Sequence, residues 1–141
     1  MTCLAIDIGG ANLKAADGRG YAASRPFAVW RHPESLSAEL VQLIESASAC
    51  TSLAVTMTAE LADCFETKAE GVRQILDSVQ VSASGRTIRV YQVDGQLVDV
   101  AEARKAPLLA AASNWHALAA FANRYASAWP ALLIVLGSTT A

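Results

Sequence analysis

The sequence is poor in charge, in cysteine and in long apolar runs, and each shortage closes off a class of function. Asp, Glu, Lys and Arg make up 17% of the 141 residues, the net charge is −2, and no basic block occurs. A chain that grips nucleic acid needs a basic patch for the phosphates, so nucleic acid is not an expected partner. The three cysteines, Cys3, Cys50 and Cys64, are odd in number and far apart. They fit neither a zinc-ligand spacing nor a disulfide framework, which points to a reducing, cytoplasmic compartment. The longest fully apolar run, Ala131–Leu136, is far short of the roughly 20 residues of a membrane span. No charged region followed by an apolar stretch opens the chain, so no signal peptide is expected. No internal linker or low-complexity tract interrupts it, and the length suits one domain with a real core. The hydrophobic fraction, 53%, is high for a free-standing small domain and suggests a surface that is normally covered.

What is present is concentrated near the N-terminus. Leu4–Ile8 is a short apolar run broken by one acid, Asp7. A buried acid without a partner is costly in a strand, so Asp7 is expected near the strand's carboxyl end, facing a ligand or a metal. Gly9 and Gly10 follow at once. They allow a tight hairpin and bring bare N–H groups close to an anion. Asn12 and Lys14 flank Leu13, so both point to one face of the next strand. The segment thus reads as strand, phosphate-approaching turn, and strand with a donor and a cation. An ordinary hairpin with solvated polar residues is the competing reading. The spacing matches neither a dinucleotide-binding fingerprint nor a Walker loop.

Further along, Tyr21 to Phe27 suits a third strand, with Pro26 placing it at an edge or ending it there. Pro33 fits a first helical turn, and Leu36, Leu40, Leu43 and Ile44 predict a helix over about Glu34–Ala49. Leu53–Met57 reads as a buried strand. Thr67-Lys68-Ala69-Glu70 is a capping box, and it opens a helix whose stripe is Val72, Ile75, Leu76 and Val79. Thr87 to Val93 reads as a strand, and Asp94-Gly95 as a turn before Gln96–Val98. From Pro107, one long alanine-rich helix is predicted to about Ser127, with Leu108, Ala112, Trp115, Ala119 and Ala122 on one face. Ala131–Leu136 reads as a final apolar strand. Three hairpin-linked strands followed by alternating helices and strands predict an α/β fold: a mixed sheet with helices on its faces.

The closing stretch, Leu133 to Thr140, repeats the grammar of the opening: an apolar strand, then Gly137 with Ser138, Thr139 and Thr140. Two such loops suit a two-lobed phosphate clamp. With Asp7-Ile-Gly-Gly-Ala-Asn-Leu-Lys14, Ala54 to Phe65, Thr67-Lys68 with Glu70-Gly71-Val72, Asn114-Trp-His-Ala117 and Gly137-Ser-Thr-Thr140, the chain resembles the hydantoinase/oxoprolinase-like proteins of tetrahydromethanopterin-linked C1 transfer. That family is similar to the archaeal synthase of methanofuran biosynthesis. The resemblance implies a ribonuclease-H-like lobe of the actin, sugar-kinase and Hsp70 superfold over residues 1–130. Residues 131–141 would then begin a second lobe that continues beyond this sequence. One departure stands out: where the family's second loop carries an acid two residues before the glycine, this chain has Val135.

The resemblance further implies an alkyl- or aryl-transferring chemistry, in which a phenol of a γ-glutamyl-tyramine joins a furan methyl carbon and diphosphate leaves. Gly9, Gly10, Asn12, Asn114, Gly137, Ser138 and Thr139 are then the candidate phosphate or nucleotide contacts. Asp7, Lys14 and Glu60 are the candidate catalytic groups, with Mg²⁺ held through Asp7, by way of water. A phosphorylated small molecule is the implied substrate. The isolated chain is expected to be inactive, since half the clamp is absent. An ATP-dependent kinase or hydrolase of the same superfold, and a non-catalytic module, are the alternatives.

Several neighbours have duller readings. Glu60 and Asp63, three apart, are expected to share a helical face, and by spacing alone read as a solvated acid pair. His116 reads by position as a packed, satisfied helical histidine, and only the resemblance through Asn114-Trp-His-Ala117 makes it a candidate site residue. Trp115 reads as core, Cys64 as a small buried side chain, and Lys68 as an exposed first-turn lysine. Asn114 falls in line with Ala111, Leu118, Phe121 and Tyr125, and as a buried amide needs a partner. The apolar edge of Ala131–Leu136 predicts a homodimer or a swapped strand.

Overall fold

The structure is a computed structural model and describes residues 2–47, 49–128 and 130–135. Its centre is one six-stranded sheet in the order β3-β2-β1-β4-β5-β6. The strands are β1 Cys3–Ile8, β2 Asn12–Ala16, β3 Ala22–Pro26, β4 Ser52–Met57, β5 Thr87–Tyr91 and β6 Leu97–Val98. The central strands β1, β4 and β5 run parallel, while β2, β3 and β6 are attached antiparallel. The fold is therefore α/β with a mixed sheet and flanking helices, as the alternation of elements predicts. β3 is an edge strand and ends at Pro26.

Alternation within each strand decides which face is buried. Leu4, Ile6 and Ile8 of β1, Leu13 of β2 and Leu53, Val55 and Met57 of β4 point one way and are at most 2% exposed. Two helices cover them, α1 Leu36–Glu45 and α2 Lys68–Ser82, which also pack on each other. The α1 residues Leu36, Leu40, Leu43 and Ile44 and the α2 residues Val72, Ile75, Leu76 and Val79 complete this core. The α2 start follows its sequence signal: the Thr67 hydroxyl accepts a hydrogen bond from the Glu70 N–H at 3.1 Å. The α1 helix starts later than its apolar spacing suggests, because Pro33–Ser35 forms a separate 3₁₀ turn ahead of it, and it ends at Glu45 rather than near Ala49.

The opposite face carries small and polar residues. Register sets Ser24, Lys14, Asp7 and Thr56 in one cross-strand row and Ala22, Ala16, Ala5 and Ala54 in the next. A groove of about 620 Å³ runs over these rows and reaches Tyr91, Leu97 and Ala117.

The third helical region departs from expectation. Instead of one long helix there are three pieces: α3 Val100–Lys105, α4 Pro107–Ala110 and α5 Ser113–Asn123. Pro107 begins α4, where its missing N–H is harmless. Ala112 breaks the run a second time, with φ 50° in the left-handed region. The start of α3 is marked by Asp99, whose carboxylate accepts from the Glu102 N–H at 2.9 Å; this Asp-x-x-Glu signal went unread in the sequence. Trp115 is 53% exposed, and Leu108, Leu118, Phe121 and Tyr125 are exposed too, so the expected buried stripe is not formed. α5 lies on β4, and Ser113 is its buried residue. Residues 131–135 form no strand, and Leu132, Leu133, Ile134 and Val135 are exposed. An apolar run becomes a strand only beside a pairing edge, and no described strand pairs with this one. Leu136 and the loop Gly137, Ser138, Thr139 and Thr140 lie outside the described residues.

Candidate functional site

The parallel strands β1 and β4 end side by side, and the candidate groups gather at and beyond their carboxyl ends, the usual place for ligand sites in such sheets. Asp7 lies one residue before the end of β1. Its Oδ2 is 3.4 Å from Lys14 Nζ, directly across in β2. Its Oδ1 accepts from Thr56 Oγ1 at 3.1 Å. The Lys14 side chain is 56% exposed and that of Asp7 25%. An ion pair this open contributes only about 0–1 kcal/mol to stability. Both groups are thus held close together yet remain within reach of a ligand.

The hairpin between them is built by the two glycines in different ways. The Gly9 N–H donates to Asn12 O at 3.0 Å, so the expectation of a bare amide fails at Gly9. A Cβ there would stand 2.9 Å from that same oxygen, which is why the position is glycine. Gly10 is open: a Cβ on it would meet nothing within 4 Å. The N–H groups of Gly10 and Ala11 make no hydrogen bond with the described residues, whereas their carbonyls accept from Val29 and Phe27 N–H groups at 2.9 Å each. The loop is therefore anchored by its oxygens, and two amides are left for an anion. Asn12 and Lys14 share a face of β2, as their spacing requires, with Leu13 buried opposite.

On the β4 side the organising residue is Thr58, which the sequence reading passed over. Its N–H donates to Ile8 O at 3.0 Å, fastening the end of β1. Its Oγ1 accepts from Asn114 Nδ2 at 3.3 Å. Asn114, a candidate phosphate or nucleotide contact, thus reaches the first loop region from α5 through Thr58. The available signal was hydroxyl residues, Thr56 and Thr58, punctuating the carboxyl end of an apolar strand.

Glu60 and Asp63 are not a solvated pair on one helical face. Glu60 sits in a 3₁₀ turn, Ala59–Leu61, and Ala62 is extended, which turns exposed Asp63 away. Glu60 is 2% exposed. Its Oε1 accepts from the Ala112 N–H at 2.7 Å, and its Oε2 is buried with no partner among the described residues. Burial pushes this carboxyl above the usual carboxylate range, against the pull of the Ala112 N–H and the charge of Lys68. No hydrogen bond joins Glu60 to Asp7 or Lys14. His116 is a packed, satisfied residue as read: its Nδ1 lies 3.0 Å from Tyr91 Oη. Lys68 is exposed, also as read. Cys64 is exposed rather than buried. Among the described residues no group of three or more His, Cys, Asp or Glu is set to hold a metal, and no helix is long and apolar enough to cross a membrane.

The fold and site together define an α/β protein with a glycine hairpin, an acid and a lysine at the carboxyl ends of parallel strands. Residues 52–141 match the hydantoinase/oxoprolinase family model. The chain belongs to the hydantoinase/oxoprolinase family. It is also 37% identical, over 140 residues and 97% of its own length, to the (4-{4-[2-(gamma-L-glutamylamino)ethyl]phenoxymethyl}furan-2-yl)methanamine synthase of Methanocaldococcus jannaschii. The chain spans 41% of that relative's length. It is a partial homologue of this synthase.

Proposed function

We propose that the chain is the phosphate-facing lobe, of actin-like type, of a transferase that builds a methanofuran-type C1 carrier. The compound in the relative's name is an aryl ether of a furanylmethyl group, so its synthesis requires a phenol oxygen on a furan methyl carbon. In the proposed reaction that carbon carries diphosphate. The new carbon–oxygen bond forms, the carbon–diphosphate bond breaks with the electron pair leaving on diphosphate, and the phenol O–H proton passes to the departing diphosphate. The chief demand is to stabilise the departing polyanion.

This chain's residues suit that demand. The Gly10 and Ala11 amides and the Lys14 ammonium supply donors and positive charge for the phosphoryl oxygens. Asp7 fits magnesium, which takes few protein carboxylates and keeps its waters when phosphates complete its shell. Magnesium bound there would supply further neutralisation of the leaving group. Asn12 faces the same side as Lys14, and Asn114 steadies the loop through Thr58. Gly137, Ser138 and Thr139, outside the described residues, are proposed as further phosphate contacts.

The observation that carries this reading is the Asp7–Lys14 pair beside open hairpin amides. Phosphorus NMR of inorganic diphosphate with Mg²⁺ tests it. The reading expects broadened or shifted resonances with the protein and free-ligand signals with Lys14→Ala. ATP binding in place of diphosphate would move the assignment to a nucleotide-dependent kinase or hydrolase. Binding of neither would remove the phosphate role.

A further inference from the structure

The buried Glu60 carboxyl sits away from the Asp7–Lys14 pair, and its surroundings show what it holds. Directly beneath it, α2 carries Gly71. A Cβ at that position would lie 2.9 Å from Glu60 Cα and 3.0 Å from its Cβ, with Phe65 equally close. The 3₁₀ turn is therefore pressed onto α2. The Glu60 side chain reaches Ala112, the residue ahead of α5, whose φ of 50° is unfavourable for a side chain other than glycine. Ala112 offers no side-chain cap for the helix. Its N–H would be left without a partner in this position, and the Glu60 carboxyl takes it at 2.7 Å. The geometry resembles the return bond of a capping box, with the acid supplied from another element.

Three consecutive residues then dock on the end of β4. Ala112 is held by Glu60, Ser113 Oγ accepts from the Met57 N–H at 3.3 Å, and Asn114 Nδ2 donates to Thr58 Oγ1. Thr58 in turn fastens Ile8, the residue before the glycine hairpin. We propose that Glu60 is a positioning residue: by pinning the left-handed turn at Ala112 it sets Asn114 against Thr58 and so fixes the ligand-facing hairpin at Gly9-Gly10. This assigns Glu60 neither a base nor a metal-ligand role, and it rests on the phosphate reading of the hairpin. An acceptor of the right length, not a negative charge, is what the position requires, since burial disfavours the charged form.

The test compares Glu60→Gln, Glu60→Ala and Glu60→Met in the 141-residue protein, by calorimetry with Mg²⁺ and inorganic diphosphate and by amide hydrogen exchange. Loss of one buried hydrogen bond at a packed turn predicts roughly tenfold faster exchange at the Ala112–Asn114 amides in Glu60→Ala. Diphosphate affinity should fall about fivefold or more, while circular dichroism stays native. Gln keeps the acceptor and should restore both readouts to within about twofold of wild type. Met keeps the bulk over Gly71 and behaves as Ala does; it carries the comparison if the Ala variant unfolds. Unchanged exchange in Ala and Met would overturn the proposal. So would a Gln variant as impaired in binding as Ala, since that would mean the charge itself is used. If wild type binds no diphosphate, the phosphate reading fails, and the exchange arm still decides whether Glu60 pins the turn.

Discussion

Single residues carry the site, and they differ in what their loss should do. Lys14 pairs with Asp7 in the open, so Lys14→Ala should leave the melting temperature nearly unchanged. Removing a charge-assisted contact of about 1.5–3 kcal/mol should weaken diphosphate binding roughly 10- to 100-fold. Gly9 is the reverse case. Its missing Cβ would fall on Asn12 O, so Gly9→Ala should destabilise the protein by about 1–3 kcal/mol in urea unfolding, the cost typical of an overpacked contact. Glu60 sets a pH dependence. Its carboxyl is raised in the folded state, so its contribution to stability is fully present below the unfolded carboxylate value, about 4.3. That contribution is lost as pH rises through the raised folded value. The stability of wild type relative to Glu60→Gln should therefore fall as pH increases over this window, measured by urea unfolding at several pH values. A difference independent of pH would contradict it.

At the level of elements, the sequence was most readable where a local rule acts alone. The Thr67 N-cap, the Gly-Gly hairpin and the strand that closes at Pro26 each depend on neighbours in sequence, and each is present; Glu70 does not return the second bond of a capping box, its Oε1 accepting from Gln74 Nε2 at 2.7 Å instead. Alternation also separated Leu13 from Asn12 and Lys14. The alanine-rich region misled because alanine has high helix propensity in any register, so nothing in composition marks the break at Ala112. That break depends on an acid in a distant element, Glu60, and on the glycine beneath it, Gly71. Glu60 itself was legible as a candidate but not as buried, because its burial follows from the packing of α2 rather than from spacing to Asp63. Two element-scale outcomes follow. Thr67→Ala should cost about 1 kcal/mol, the usual worth of an N-cap hydroxyl, in urea unfolding. Ala112→Gly should stabilise the chain, since glycine relieves the left-handed strain by about 1 kcal/mol, and an Ala112→Gly variant that melts lower than wild type would contradict the reading of this turn.

Over the whole molecule, one sheet face is sealed by α1 and α2, and the other shows alanines, the Asp7–Lys14 row and a groove. With Trp115, Leu118 and Phe121 and residues 132–135 exposed, the high apolar fraction of the sequence lies partly on the outside. Such surface favours association, and we propose a homodimer through residues 131–135. Sedimentation equilibrium should show it, and Ile134→Asp should shift it toward monomer. The fold places the hairpin, Thr58 and Asn114 together, although they are far apart in sequence; the resemblance points to the hairpin and Asn114, and Thr58 as the link between them is visible only in the geometry. The most direct measurement is an amide chemical-shift map on adding Mg²⁺ and inorganic diphosphate. The largest changes should fall on the Gly10 and Ala11 amides, with Lys14 close behind and α1 unmoved. Changes confined to other surfaces, or none at saturating ligand, would contradict the hairpin as an anion seat.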